Sequence, residues 1–181
     1  NPNSPYRNLE NARWIWAAGA GQQSFHTKLS IPAGRKVSTA LCVMGASASF
    51  ELHLNGERVG AGSTVRAPEV WDIARFLKPG DNDVEVTAEP SKNGSSGLIG
   101  AFHIQFHDGA PILISTNTAW SAKSGPVKDA GAYGTQPWGE VGYSEERALP
   151  ARLLRKEFET SSPIKSATAY ISGLGLSELY V

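Results

Sequence analysis

The chain has 181 residues, 40% of them hydrophobic, with 17 basic and 17 acidic side chains. This length fits one domain, or one domain and part of another, and the hydrophobic content excludes disorder as the main state. Zero formal charge excludes the electrostatic footprint of a general nucleic-acid binder and a basic surface for anionic lipid, and no apolar run reaches the ~20 residues of a membrane span.

The 19 glycines and 11 prolines predict many turns and few long helices. Cys42 is the only cysteine, which excludes an internal disulfide and makes a cysteine-based zinc site unexpected. The chain starts at Asn1 with neither Met nor a signal-like apolar segment, as expected of a processed product.

Period-two alternation dominates, and it reads as strands with one buried face. Ala40, Cys42 and Met44 share the parity of Phe50, Leu52 and Leu54, so Cys42 is expected as a small buried hydrophobe. Phe50 to Leu54 runs into Asn55-Gly56, a strong short hairpin signal, with its partner strand over 57–61. Glu69 to Lys78 predicts one or two helical turns or a short strand, stopped by Pro79-Gly80. Val84 to Ala88 alternates again, and 89–97 is a loop of turn formers. Phe102, Ile104 and Phe106 then share one face, and 112–116 forms a further strand. Segment 121–143 reads as a Gly-rich surface loop, and 142–150 as a linker. Short strands punctuated by turns predict an all-β, antiparallel β-sandwich of jelly-roll type.

An internal echo appears at an offset of 127 residues: Phe50-Glu-Leu-His-Leu54 matches Ser177-Glu-Leu-Tyr-Val181. Residues 1–145 are therefore expected as one sandwich, and 151–181 as the opening strands of a second. The open edges of such a tail predict pairing with the first sandwich or, in a homodimer, with a second copy through the C-terminal strands.

No catalytic constellation is visible, so the chain is expected not to be an enzyme. A glycosidase needs two carboxylates flanking a sugar site, and Glu145-Glu146 sits in the linker. His103 and His107 share a strand face but lie ~13 Å apart at strand spacing, too far to share one ion.

Trp14-Ile-Trp16, a strand around 25–31, the hairpin from Leu52 to Gly60, Leu77-Lys-Pro-Gly-Asp-Asn82 and Ser115-Thr-Asn-Thr-Ala-Trp120 occur in that order. Together they resemble the N-terminal galactose-binding-like β-sandwich of bacterial α-L-rhamnosidases, glycoside hydrolase family 78. Segments 153–158 and 167–175 resemble the start of the next sandwich, while the family's helical catalytic barrel has no counterpart in these residues. The resemblance implies a secreted or periplasmic, non-catalytic carbohydrate-binding module. The alternative is an accessory domain that packs on a catalytic barrel and binds no sugar. Neither a nucleic-acid nor a membrane partner is expected. Related sandwiches often hold calcium, but Asp72, Asp81 and Asp83 show no ligand-loop spacing, so no metal residue is assigned.

Sugar binding needs aromatic surface and hydrogen-bonding groups, and loops carry such sites more often than scaffold strands do. Trp71, with Arg66 and Glu69 beside it, is the first candidate cluster. Tyr133 and Trp138, in the Gly-rich segment, are the second. The alternatives are packing of Trp71 against the sandwich end and pinning of the loop to the sheet by Tyr133 and Trp138. Trp14 and Trp16 are expected on one side of their strand, mostly as core.

Overall fold

The computed structural model describes residues 4–64 and 67–142. Arg66, the linker carboxylates Glu145 and Glu146, the 151–181 unit and its pairing in a homodimer lie outside the described residues.

The strands are β1 (Arg13–Ala17), β2 (Gln23–Ile31), β3 (Val37–Ala46), β4 (Phe50–Leu54), β5 (Glu57–Gly62), β6 (Glu69–Asp72), β7 (Gly80–Ala88), β8 (Leu98–Phe106), β9 (Ile112–Ser115), β10 (Ser121–Ala122) and β11 (Val127–Ala132). One sheet runs β11-β1-β8-β3-β6, with β9 also paired to β8, and the other runs β10-β2-β7-β4-β5. The chain crosses between the sheets at most connections, and the paired strands are antiparallel. This is the expected antiparallel β-sandwich.

Alternation builds the core. Phe50, Leu52, Leu54, Phe102, Ile104 and Phe106 all enter the cluster between the sheets, with Ala40, Cys42 and Met44. A one-residue slip of β4 would turn Glu51 and His53 into that core, so the pattern fixes the register. The β4–β5 turn follows from its residues: Asn55 (φ 53°) and Gly56 (φ 80°) both adopt positive φ, as a type I′ hairpin requires.

The segment from Lys78 to Asn82 owes its shape to one buried side chain. Asn82 is 0% exposed. Its Nδ2 donates to the carbonyls of Leu29, Lys78 and Gly80, and its Oδ1 accepts from Lys78 N and Asn55 Nδ2. Asn55 Nδ2 also donates to the Phe76 carbonyl, and Asn55 Oδ1 accepts from Asp83 N. The two asparagines thus tie the β4–β5 turn to the entry of β7.

Three expectations change. Glu69 to Lys78 is neither all helix nor all strand: β6 is followed by a 3₁₀ turn over Ala74–Phe76, whose first amide, at Ala74, is accepted by the Asp72 carboxylate. The Gly-rich 121–143 segment is not only loop. It contains β10 on β2 and the edge strand β11, registered along all five residues of β1. The signal was hidden because β11 (Val-Lys-Asp-Ala-Gly-Ala) carries only one branched aliphatic, as an exposed edge permits. Finally, Trp14 and Trp16 do not share one side. An irregularity in the β1–β11 register between Trp14 and Ile15 separates them. Trp14 joins a second cluster on the outer face of the six-stranded sheet, with Leu9, Val43, Ile99 and Val141. Trp16 packs on the inter-sheet core near Phe25.

Two predictions arise here. Cys42 is wholly buried, and desolvation pushes its thiol far above the ordinary range. A maleimide or disulfide reagent is expected to leave the native chain unlabelled and to react only after denaturation. Labelling of the native protein at the rate of a free thiol would contradict this packing.

The second concerns the β1–β11 edge. Arg13 Nε donates to Asp129 Oδ2 at 2.8 Å, and this bond holds the Asp129 carboxyl below the usual carboxylate range. A depressed folded-state pKa gives stability that is present above the unfolded value, about 3.9, and lost as pH falls through the folded one. Asp129→Asn is therefore expected to flatten the acid limb of a melting-temperature profile below about pH 4. The effect is small, because the side chains are 43% and 38% exposed. An unchanged acid limb would mean the pair is not formed in solution.

Candidate functional site

Glu69 and Trp71 stand two residues apart on β6, the edge strand of the six-stranded sheet, and so on one face of it. Both are half-buried. Trp71 leans over β5, the edge of the opposite sheet. A Cβ added to Gly60 would lie 2.5 Å from its Nε1, so the bare glycine lets the indole rest on the backbone. Its ring also meets Phe50 edge-on, with centroids 6.0 Å apart at 72°. Trp71 thus closes the gap between the two sheet edges.

A cleft of about 530 Å³ opens beside Glu69, on the outer face of the five-stranded sheet. Ala61 and Gly62 give it apolar surface, and the buried Phe50 borders it. Ser49, Ser63 and Thr87 bring hydroxyls, Gln22 an amide, and Glu51, Glu69 and Glu89 carboxylates. The sheet register explains the placement: Ala61 lies opposite Glu51 on β4–β5, and Glu51 opposite Thr87 on β4–β7.

Two of the carboxylates are already held. Glu51 Oε2 accepts from Arg58 Nε at 2.7 Å, which keeps its carboxyl below the usual range, and Glu51 Oε1 lies 3.3 Å from His53 Nε2. Glu89 Oε1 accepts from Gln22 Nε2 at 2.7 Å. The Glu69 stem lies against Gly62, where an added Cβ would come within 3.0 Å of its Cγ.

Tyr133 and Trp138 lie elsewhere. Both pack on the outer cluster of the six-stranded sheet, on the side of β11, whereas Trp71 is on β6 at the opposite edge. Trp138 stacks on Trp14 with centroids 4.4 Å apart, and Tyr133 Oη donates to the Val141 carbonyl at 2.8 Å. Burial pushes the Tyr133 phenol above its ordinary range, and the Glu140 charge adds to this. A smaller cleft of about 360 Å³ runs past Tyr133, Tyr6, Arg7 and Glu140. The structure therefore brings Glu69 and Trp71 together and separates them from Tyr133 and Trp138.

Of the cleft residues, sequence reasoning named only Glu69. Glu51 and Thr87 were legible as outward alternates of strands, whereas Phe50 reads as core and Gln22, Ser49, Ser63 and Glu89 lie just outside the strands. What was missing was the pairing of β4 with β7, which sets Thr87 beside Glu51.

Next to the cleft, Ser24 Oγ lies 3.0 Å from His26 Nε2 and donates to Glu85 Oε1 at 2.9 Å. Glu85 is thus on the serine side of the imidazole, with Oε1 3.8 Å from Nε2. A nucleophilic triad instead needs its carboxylate on the other ring nitrogen, orienting the base. This cluster is a polar network on a sheet face.

A calcium ion needs about six to eight oxygen ligands. Asp72 is occupied at the 3₁₀ turn, while Asp81 accepts from Ser30 and pairs with Lys28. Among the described residues no group of three or more His, Cys, Asp or Glu side chains converges as a metal site. No helix among the described residues is long and apolar enough to cross a membrane.

Comparison with protein-family profiles and with curated proteins finds no match. Solved structures do match. A lectin from Pleurotus ostreatus, solved in complex with GalNAc, superposes with a TM-score of 0.65 at 19% identity, over 74% of this chain and 47% of that one. The α-L-rhamnosidase of Streptomyces avermitilis, complexed with L-rhamnose, gives a TM-score of 0.66 at 21% identity, over 74% of this chain and 16% of that one. The family-78 rhamnosidase of Bacillus sp. GL1 gives 0.59 at 21% identity, over 73% of this chain and 19% of that one. The chain has the galactose-binding-like sandwich fold. It spans about half the length of the lectin and less than a fifth of these two rhamnosidases.

Proposed function

We propose that the chain is a non-catalytic carbohydrate-binding module of a rhamnosidase-like glycoside hydrolase, acting outside the cytoplasm of a bacterium. The observation that carries this reading is the cleft beside Glu69. Its volume lies in the 300–1,000 Å³ span of small-ligand pockets, and it sets hydrogen-bonding groups around apolar surface. A pyranose has that dual character, with C–H surface on its ring and hydroxyls at its rim. The likeness of the fold to a lectin solved with GalNAc supports the reading. Glu69 and Trp71 on β6, with Arg66 near them in sequence, are the first proposed site residues, and Tyr133 and Trp138 are the second candidate surface.

A second reading is favoured by one observation. The rings of Trp71, Tyr133 and Trp138 are each packed against neighbours, as a structural accessory domain would have them. Docking of that kind also calls for a broad apolar patch. Among the described residues the exposed large hydrophobics are Val70 and Leu113, on the separate strands β6 and β9.

Saturation-transfer NMR on the 181-residue chain with methyl glycosides of L-rhamnose, D-galactose and N-acetylgalactosamine separates the readings. Transfer to at least one glycoside is expected of a binding module. Silence from all of them, at millimolar ligand, would favour the docking domain.

A further inference from the structure

We infer that the cleft takes one neutral sugar residue through a pair of adjacent hydroxyls, with Glu69 as the acceptor that fixes it. The inference rests on the carbohydrate-binding reading and adds the ligand class and the residue that selects it. Three observations meet at this point.

The first is the division of labour among the carboxylates. Glu51 is engaged by Arg58 and His53, and Glu89 by Gln22. These two are held in place and have fewer free lone pairs to offer. The Glu69 carboxylate has no hydrogen bond or ion pair with another side chain among the described residues. An ionised carboxylate is acceptor-only, and its two oxygens match two neighbouring O–H donors. Bonds to a charged acceptor are shorter and about twice as strong as neutral ones.

The second is that Glu69 is placed before the ligand arrives. Its backbone is tied into the β3–β6 ladder opposite Met44, and its stem lies on Gly62. The stem therefore has less side-chain freedom to lose on binding, which favours affinity from few contacts.

The third is the surface facing it. Ala61 is exposed on β5 and small, so the cleft stays open there, and its methyl with the bare backbone of Gly62 offers apolar contact for ring C–H groups. Ser49 and Thr87 present hydroxyls that donate to or accept from the remaining sugar oxygens. The volume suits a terminal residue rather than a long run of sugars.

The test uses the full ¹⁵N-labelled chain titrated with methyl α-L-rhamnopyranoside and methyl β-D-galactopyranoside, read by amide shifts. Amides near Ser49, Ala61, Glu69 and Thr87 are expected to move. Glu69→Gln is expected to weaken binding about 10-fold or more, the effect of a hydrogen bond to a charged group. Ala61→Arg, which fills the cleft from an exposed position, is expected to abolish binding, and both variants should melt as the parent does. A glycoside with both neighbouring hydroxyls methylated should not bind. If the parent binds sugar but the shifts map elsewhere, or both variants bind as well as the parent, the cleft assignment is wrong and the binding reading survives. If the parent binds neither glycoside, nor any sugar in the saturation-transfer panel, both are overturned.

Discussion

Replacing Leu52 by Ala is expected to lower the unfolding free energy by about 2–5 kcal/mol, the range for deleting a leucine from a well-packed core. Leu52 is 0% exposed and sits mid-strand on β4, between Phe50 and Leu54 and between the paired strands β5 and β7. The surrounding side chains come from both sheets, so the site cannot collapse without moving one sheet on the other. Chemical denaturation with a constant m-value measures the effect. A loss below about half a kcal/mol, well under that range, would mean that β4 presents its other face to the core.

Replacing Asn82 by Leu is expected to cost as much without leaving a cavity, on the order of 4 kcal/mol, since each buried polar group left unpaired costs about 1–3 kcal/mol. The substitution strands the buried Leu29 carbonyl and removes at once the partner of the part-buried Lys78 and Gly80 carbonyls, of the Lys78 amide and of part of the Asn55 amide. Asp at the same position separates the two halves of the network. It keeps an acceptor for Lys78 N but loses the donors to Leu29, Lys78 and Gly80, so it too is expected to destabilise. Equilibrium unfolding of both variants decides. A cost under about 1 kcal/mol for Asn82→Leu, the net worth of one ordinary hydrogen bond, would show that solvent replaces the network.

These two positions also show what could be read from the chain. Leu52 was legible because its strand alternates without a break and ends in Asn-Gly, so local pattern and turn chemistry agree. Phe102, Ile104 and Phe106 were legible for the same reason. Asn82 was visible only as part of a family-like motif. A lone Asn in a turn gives no sign that it is buried, because its partners, Leu29 and Asn55, lie far off in sequence. Strand β11 was missed because an edge strand with one solvent-facing side needs few branched aliphatics. The split between Trp14 and Trp16 was missed because a strand irregularity reverses parity without changing composition.

The residues singled out in the sequence meet the cleft at one point only, Glu69. Arg66, Glu69 and Trp71 drew notice as a charged and aromatic cluster in a loop region. The fold puts Glu69 at the cleft and turns the Trp71 ring onto Gly60. The rest of the cleft comes from strands that meet only when the five-stranded sheet forms. Glu51 and Thr87 are 36 residues apart in sequence and directly opposed in the sheet. No local spacing announces such a pair.

Binding of sugar by the chain itself is the central claim, and a glycan array probed with the labelled 181-residue protein tests it most directly. The account predicts retention on glycans that end in a neutral sugar with adjacent free hydroxyls, and loss of that signal for Ala61→Arg. An array on which the folded protein is retained by no glycan would contradict it.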